Sequence, residues 1–117
     1  MGKRKIIINI FLLLFLIVEI LCVIKFKIVI GSGISMSPTI KNHQILFCEY
    51  TDNYNVDDIV LYKLNGISIV HRIVKVTKYD LSNGSTIEVY TMKGDNNLST
   101  DMFETYRENI VCKIKGV

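Results

Sequence analysis

The chain has 117 residues, of which 50% are hydrophobic and 21% are charged, and its formal net charge is +3. This length predicts one domain of ordinary size, and the apolar composition excludes a disordered, solvating chain. The basic excess lies in residues 1–27, which carry a net charge of +4, whereas residues 28–117 carry −1. Because no basic stripe lies outside the N-terminal segment, we do not expect nucleic-acid binding.

The most apolar stretch is Ile6–Ile24, in which Glu19 is the single charge. As a helix it would be roughly 28 Å long, close to the hydrocarbon thickness of a bilayer. Basic residues flank both ends and can extend to the lipid headgroups. We therefore predict a transmembrane helix over residues 6–24, preceded by a basic tail over residues 1–5.

Two other interpretations of this stretch are weaker. A cleaved secretory signal needs a small-x-small site, but the first small cluster, Gly31-Ser32-Gly33, lies inside a motif described below. A buried core helix needs more surrounding chain than remains.

The N-terminal flank is the more basic one, so the positive-inside rule places the N-terminus in the cytoplasm and residues 28–117 outside. The abundance of Ile, Lys and Asn is typical of an AT-rich bacterial genome, so the expected location is a bacterial cell membrane.

Residues 28–117 have the pattern of a β-domain, with runs rich in Ile, Val, Tyr and Thr between turn residues. The predicted strands are Ile28–Ile30, Ile45–Tyr50, Ile59–Leu64, Ile67–Thr77, Thr86–Met92 and Asn109–Ile114. Asn65-Gly66 and Asn83-Gly84 are two-residue hairpin signals, and Gly94–Asn97 is a longer turn. The predicted fold class is mostly β: a small antiparallel β-domain on one N-terminal transmembrane helix.

Three cysteines are present. Cys22 lies in the apolar stretch and is expected to be a simple apolar side chain. Cys48 and Cys112 lie in the β-domain, where an extracytoplasmic location would permit a disulfide. Since sequence does not reveal their separation, we expect two free buried thiols.

Gly31–Thr39 is the first segment that suggests chemistry. Gly33 permits a tight backbone approach near Ser35, and Pro38 disfavours helix at the residue before it. A rigid, exposed corner of this kind suits a nucleophile that has backbone N–H groups nearby. A plain linker after the apolar helix is the alternative.

His71 and the polar segment Lys93–Asp101 could complete such a site. His71 lies in a predicted strand and faces the same side as the isoleucines on either side of it, so it is either a packed residue or a general base. A carboxylate from Lys93–Asp101 could fix the tautomer of His71, or these residues could simply form a polar turn. His43 lies in a polar stretch and is expected at the surface.

Together these segments resemble the type I signal peptidases. Ser32–Thr39 is similar to the SGxSMxPT box of that family, and His71–Val74 falls where bacterial members carry Lys-Arg. The histidine version resembles the branch found in the endoplasmic reticulum, archaea and spore-forming bacteria (SipW-like). Gly94–Asn97 with Asp101 is similar to the GDNN…D box of that branch, and Asn109–Ile114 resembles its closing strand.

The resemblance implies a signal-peptidase-type β-domain over residues 28–117 and a role for each matching residue. Ser35 would be the nucleophile and His71 the general base. Asp101 would be the orienting acid, while Asp95 would either share that role or shape the turn. The implied reaction removes N-terminal signal peptides from exported preproteins, after small residues at −3 and −1.

The resemblance also implies an oxyanion and substrate-binding region around Ser35, which includes Ser32, Gly33 and Met36. Some members carry a hydroxyl where this chain has Gly33, so the oxyanion hole would use the Ser35 N–H and a second donor such as Ser32. Other departures from the family sequence are Asn42-His43 and Val56-Asp57-Asp58 where Gly-Asp is frequent, and Cys112 where glycine is frequent.

Two competing functions remain open at this point. A self-cleaving repressor-type peptidase would use a lysine base, and Lys75, four residues past His71, would face the same side on a strand. A membrane-tethered β-domain would bind an exported partner without catalysis. No metal or cofactor is expected, because no His, Cys or Asp cluster has metal-ligand spacing. The expected partners are preprotein signal peptides and the lipid bilayer, and the sequence leaves open whether an accessory membrane subunit is needed.

Overall fold

A computed structural model describes residues 2–117, and its first element is helix α1, Gly2–Lys25. The helix begins within the predicted basic tail, while Met1 lies outside the described residues. It has no buried residue, and within residues 2–117 it is the one helix whose length and hydropathy suit a membrane span. The apolar helix is therefore where the sequence predicts it, and its surface is unoccupied by the rest of the chain.

The β-domain is one seven-stranded sheet in which every pairing is antiparallel. Its strands are β1 Phe26–Ile30, β2 Ile45–Glu49, β3 Ile59–Leu64, β4 Ile67–Asp80, β5 Thr86–Lys93, β6 Thr105–Tyr106 and β7 Ile110–Lys115. The strand order is β1-β2-β7-β3-β4-β5-β6, and a short 3₁₀ helix, Arg107–Asn109, precedes β7. The predicted mostly β class is confirmed. The two-residue strand β6 was not predicted, because two residues carry no alternation.

Turn chemistry sets the β3–β4 hairpin. Asn65 and Gly66 have φ values of 50° and 78°, as a two-residue turn with both central residues at positive φ requires. Leu64 therefore pairs with Ile67, and the same register pairs Val60 with His71. Asn83-Gly84 does not form a two-residue turn by itself. The last pair between β4 and β5 is Asp80 with Thr86, so residues 81–85 join the two strands.

Strand β4 changes partner along its length. Its first half pairs with β3 as far as Arg72, and its second half pairs with β5 from Arg72 onward. A bulge lies between Ile73 and Lys75, since these two residues pair with the consecutive residues Met92 and Thr91. The expectation that Lys75 faces the side of His71 is therefore wrong: the extra residue reverses the alternation, and Lys75 is exposed.

The interior of the domain consists of two apolar clusters. The first contains Met36, Ile40, Leu46, Cys48, Ile59, Leu61, Cys112 and Ile114, and the second contains Tyr54, Val60, Tyr62, Ile73, Tyr90, Met92 and Ile110. Cys48 and Cys112 are fully buried and form a disulfide with a Cα–Cα distance of 5.5 Å. The expectation of two free thiols is wrong, because strands β2 and β7, which are distant in sequence, lie next to each other in the sheet.

Two turns are formed without the glycine that the family often has nearby. His43 and Asp57 have φ values of 65° and 78°, in the region that favours glycine. The His43 N–H donates to the Gly31 carbonyl and the Asp57 N–H to the Ile73 carbonyl, each at 2.8 Å. These backbone bonds hold both turns in place, and His43 is exposed, as predicted.

Candidate active site

Ser35 lies in the serine loop, which we define as residues 31–44 between β1 and β2. Met36 and Ile40 anchor the loop in the first apolar cluster, where they are 4% and 3% exposed. Gly33 has φ +85°, and its N–H donates to Asn42 Oδ1 at 3.0 Å across the loop. Burial on one side and this bond on the other leave Ser35 on a rigid corner.

Strand β4 positions His71 beside that corner. His71 is 8% exposed, and its Nε2 lies 3.1 Å from Ser35 Oγ. Its Nδ1 lies 2.8 Å and 3.0 Å from the two carboxylate oxygens of Asp101. The structure thus brings together the serine, the imidazole and one of the two candidate carboxylates, in the order in which a Ser-His-Asp site is connected.

Asp101 lies in the acidic loop, defined as residues 94–104 between β5 and β6. Its N–H donates to the Met92 carbonyl at 2.7 Å, which folds the loop back along the strand that neighbours β4. The side chain of Asp101 is 17% exposed. The acidic loop, which follows β5, therefore places the Asp101 carboxylate next to Nδ1 of His71.

Asp95, the other candidate acid, is bonded to different groups. Both of its oxygens accept hydrogen bonds at 2.9 Å from the Arg72 guanidinium, and Oδ2 also accepts one at 2.6 Å from Thr39 Oγ1. The hydrogen bond from Arg72 holds the pKa of Asp95 below its usual value, and the reciprocal bond raises the pKa of Arg72. Asp95 does not contact His71, and it joins β4, the serine loop and the acidic loop.

The acidic loop also bonds directly to the backbone of the serine loop. The Asn96 N–H donates to the Ser35 carbonyl at 2.8 Å, and Asn96 Nδ2 donates to the Ile34 carbonyl at 3.1 Å. Gly94 lies so close that a Cβ atom there would be 2.7 Å from the Ser35 carbonyl oxygen. The two loops are therefore packed backbone against backbone, and the glycine is required by this close approach.

Replacing Gly94 with alanine is expected to displace Ser35 and to lower turnover about 100-fold, the effect of roughly a 1 Å misplacement of a reacting group. The comparison variant is Gly84→Ala, where φ is +83° but no atom lies near the new Cβ. That change should reduce stability and leave turnover of the folded protein unchanged. Steady-state kinetics and thermal unfolding of both variants measure this difference. Equal turnover in the two variants would contradict the packing argument.

Tyr62 is a site residue that we did not predict. It is fully buried on β3, its hydroxyl donates to Asp101 Oδ2, and the oxygen lies 3.2 Å from His71 Nδ1. Burial first, and then the hydrogen bond to Asp101, raise the pKa of Tyr62 well above its usual value. The hairpin register was the available signal, because it puts Tyr62 two residues from the partner of His71, on the same face.

The residues expected near an oxyanion have unequal roles. Within residues 2–117 the Ser35 N–H donates no hydrogen bond, so this donor is available. The Gly33 N–H is already bonded to Asn42. The exposed residue Ser32 lines the groove beside Ser35. Met36 contributes to the core, and its sulfur accepts the Asp95 N–H at 3.3 Å.

A groove of about 300 Å³ lies next to Ser35. It is lined by the end of β1, the serine loop, Leu61 of β3 and the segment Ser68–Val70 of β4. Within residues 2–117, β1 pairs on one side only, with β2, and Ser68–Val70 precedes the part of β4 that pairs with β5. Both walls therefore present unpaired strand edges, which an extended peptide can bond.

A metal centre is not evident in the described part of the chain. No three His, Cys, Asp or Glu side chains among residues 2–117 are placed to share a metal ion. The polar groups of the site are bonded to one another instead, through the contacts of His71 with Ser35 and Asp101.

A small antiparallel β-domain after one N-terminal apolar helix is consistent with a β-domain of the signal-peptidase type. The curated proteins include a relative of this chain: the signal peptidase complex catalytic subunit SEC11 of Komagataella phaffii is 35% identical over 78 residues. The match covers 64% of this chain and 45% of the relative, so the chain spans less than half of that protein. The chain is homologous to this subunit, which confirms the predicted resemblance to type I signal peptidases of the endoplasmic-reticulum branch.

The other two comparisons added no relative. No family model matches the chain, and no solved structure matches it significantly. The apolar N-terminal helix fits a single-pass membrane protein. The expected bacterial cell membrane finds no support here, because the relative is of the endoplasmic-reticulum type.

Proposed function

We propose that this chain is a membrane-bound serine endopeptidase that removes N-terminal signal peptides from exported preproteins. The observation that carries the proposal is the 3.1 Å contact between Ser35 Oγ and His71 Nε2, with Asp101 bonded to the opposite ring nitrogen. Homology to a signal peptidase catalytic subunit supports the same reaction class.

The first half of the reaction acylates Ser35. Nε2 of His71 takes the hydroxyl proton as the serine oxygen attacks the scissile carbonyl carbon. Asp101 accepts the Nδ1–H of His71, which keeps the lone pair on Nε2 and stabilises the imidazolium that forms. The Ser35 N–H donates to the developing oxyanion, and we assign the second donation to Ser32 on the groove wall.

The second half releases both products. When the tetrahedral intermediate collapses, the carbon–nitrogen bond breaks, and Nε2 of His71 gives its proton to the leaving amine. Nε2 then removes a proton from water, whose oxygen attacks the acyl carbon. Collapse of this second intermediate returns the proton to Ser35 Oγ, so one peptide bond and one water become a carboxylate and an amine.

The groove supports a signal peptide in extended form. Unpaired backbone groups of β1 and of the first half of β4 can bond the peptide on both sides. The floor is formed by Met36, Ile40 and Leu61, which are all buried and apolar. The family resemblance implies small side chains at −1 and −3, and an apolar floor suits such side chains.

The chain's location is part of the proposal. Helix α1 would anchor the protein, with the N-terminus in the cytoplasm and the β-domain on the opposite side. The disulfide between Cys48 and Cys112 supports an oxidising location for the domain. Since enzyme and preprotein share one bilayer, the search of the groove for its cleavage site is restricted to the membrane surface.

The outer face of β1 and β2 is expected to lie on the lipid. Ile28 pairs with Phe47 and Ile30 with Ile45, and all four side chains are more than half exposed. Residues 27–117 should therefore float with liposomes in a density gradient. Phe47→Ser should lower the partition coefficient of the domain about tenfold, because the favourable transfer of one aromatic ring from water to lipid is lost. An absence of binding by the unaltered domain would contradict the placement.

Processing of a preprotein in detergent tests the function directly. The purified full chain should cut a model preprotein once, after its signal peptide, and Ser35→Ala should abolish the cleavage. Ser37→Ala is the matched control, because Ser37 lies in the same loop and no hydrogen bond of its hydroxyl is present in residues 2–117. Cleavage that persists in Ser35→Ala, or an unaltered chain that binds preprotein without cutting it, would reject the proposal.

A further inference from the structure

We infer that Tyr62 is a positioning residue that sets the proton arrangement of the His71–Asp101 pair. The inference rests on the proposed function, and it deepens the description of that site. It starts from a geometric fact: three heteroatom groups, the Tyr62 hydroxyl, the His71 Nδ1 and the Asp101 carboxylate, lie within hydrogen-bond distance of each other.

Counting protons leaves one consistent arrangement for this cluster. An ionised Asp101 has no proton, while a tyrosine hydroxyl and a neutral imidazole have one each. If Tyr62 donated to Nδ1, that nitrogen would be an acceptor and its lone pair would face the carboxylate. If Tyr62 donates to Asp101, Nδ1–H can donate to Asp101 as well, and every contact to the carboxylate contains a proton.

The second arrangement is also the one that catalysis needs. A proton on Nδ1 leaves Nε2 unprotonated toward Ser35, 3.1 Å away. The Tyr62 hydroxyl donates to Oδ2, the carboxylate oxygen that also lies closest to Nδ1, so it holds that oxygen in place and opposes rotation of the carboxylate. Because Tyr62 is fully buried in the second apolar cluster, its ring has no room to turn away.

Sharing the carboxylate has a second consequence. A hydrogen bond from Tyr62 withdraws negative charge from Asp101, which reduces the stabilisation that Asp101 gives to a protonated His71. Asp101 thereby keeps its contact with Nδ1 while it shares its negative charge with the Tyr62 hydroxyl. Removing the Tyr62 hydroxyl should make His71 hold its proton up to a higher pH.

The other charged groups around the imidazole are engaged elsewhere. On the strands and loops packed against it, the pairs are Arg72 with Asp95, Lys93 with the Gly94 carbonyl, and Lys113 with Asp58. Among residues 2–117, Ser35 and Tyr62 are the other side chains that are hydrogen-bonded to His71 or Asp101. A shift caused by Tyr62→Phe can thus be assigned to the lost hydroxyl.

The test compares Tyr62→Phe with Tyr90→Phe in the full chain. Tyr90 is a matched control, since it is 1% exposed in the same cluster and its hydroxyl donates to Glu88, away from the site. Nuclear magnetic resonance titration of the imidazoles gives the midpoint of His71, with exposed His43 as the internal reference. The chain has two histidines, so assignment needs one further variant.

In Tyr62→Phe the His71 midpoint should move upward by about half a pH unit or more, and in Tyr90→Phe it should stay unchanged. The acidic limb of kcat/KM should move with the midpoint, and kcat should fall about tenfold. An unmoved midpoint in folded Tyr62→Phe would overturn the inference and leave Tyr62 as a packing residue. If Tyr62→Phe does not fold, Tyr62→3-fluorotyrosine replaces it. Fluorine makes the hydroxyl a stronger hydrogen-bond donor, so the His71 midpoint must move downward. An unmoved midpoint in this variant also overturns the inference.

The two readouts separate this inference from the proposed function. The titration reports on the contact among Tyr62, His71 and Asp101 without any cleavage. Failure of the unaltered chain to process a preprotein rejects the function, whereas a His71 midpoint that does not respond rejects the role of Tyr62.

Discussion

Replacing His71 with alanine is expected to lower kcat at least about 10⁴-fold, because Ser35 then has no base for its proton and the leaving amine has no acid. KM should change little, since the imidazole lies behind the serine and does not line the groove. Processing assays under single-turnover conditions separate the chemical step from binding. The residual activity of His71→Ala should match that of Ser35→Ala, because residues that act as one unit have non-additive effects.

Lys75→Ala is the control that separates the two peptidase chemistries. The bulge between Ile73 and Lys75 turns the lysine to the exposed face of β4, away from His71. We expect unchanged turnover in this variant. The opposite pattern, in which Lys75→Ala is inactive and His71→Ala is active, would favour a Ser-Lys mechanism of the self-cleaving repressor type.

Asp101→Asn and Asp95→Asn are expected to fail in different ways. An asparagine at 101 can donate to Nδ1, which moves the imidazole proton to Nε2 and should lower kcat by about 10³–10⁴-fold. Asparagine at 95 does not touch His71 and should leave the tautomer intact. Kinetics across a range of pH measure the first effect, and a loss of turnover in Asp95→Asn equal to that in Asp101→Asn would contradict the assignment.

The cost of Asp95→Asn should appear in stability instead. Its carboxylate bonds Arg72 and Thr39, so its loss should lower the free energy of unfolding by about 1–2 kcal/mol at neutral pH. The folded-state pKa of Asp95 is lowered, so this contribution is fully present above the usual carboxyl value and is lost as the pH falls through the folded-state value. The difference in melting temperature between the two proteins should therefore close in acid. A difference that is independent of pH would contradict this origin.

The chain's own residues explain why two acidic positions in one loop differ. Asp95 follows Gly94 at the end of β5, where Arg72 is the next side chain along β4 from His71. Asp101 comes after the loop has turned back, and its N–H bond to the Met92 carbonyl brings it to the Nδ1 side of the imidazole. The first acid therefore links β4 and the serine loop to the acidic loop, and the second bonds the imidazole of His71.

Several features followed from local sequence. The apolar helix, six of the seven strands and the Asn65-Gly66 hairpin are present where pattern and turn chemistry predict them. The hairpin register could also have predicted that Tyr62 lies in the site. With two residues in the turn, Val60 must pair with His71, and Tyr62 then lies beside the imidazole on the same face.

Sequence by itself determined the periodicity of each element and the order of the serine, the histidine and the acidic loop, because these depend on neighbouring residues. Tertiary structure alone decided that Asp101 and not Asp95 meets His71, that Cys48 bonds Cys112, and that Lys75 points outward. Each of these depends on which distant strands become neighbours or where a bulge is inserted. Such pairings are selected by the packing of the whole sheet, and a short segment does not contain the distant residues with which it pairs.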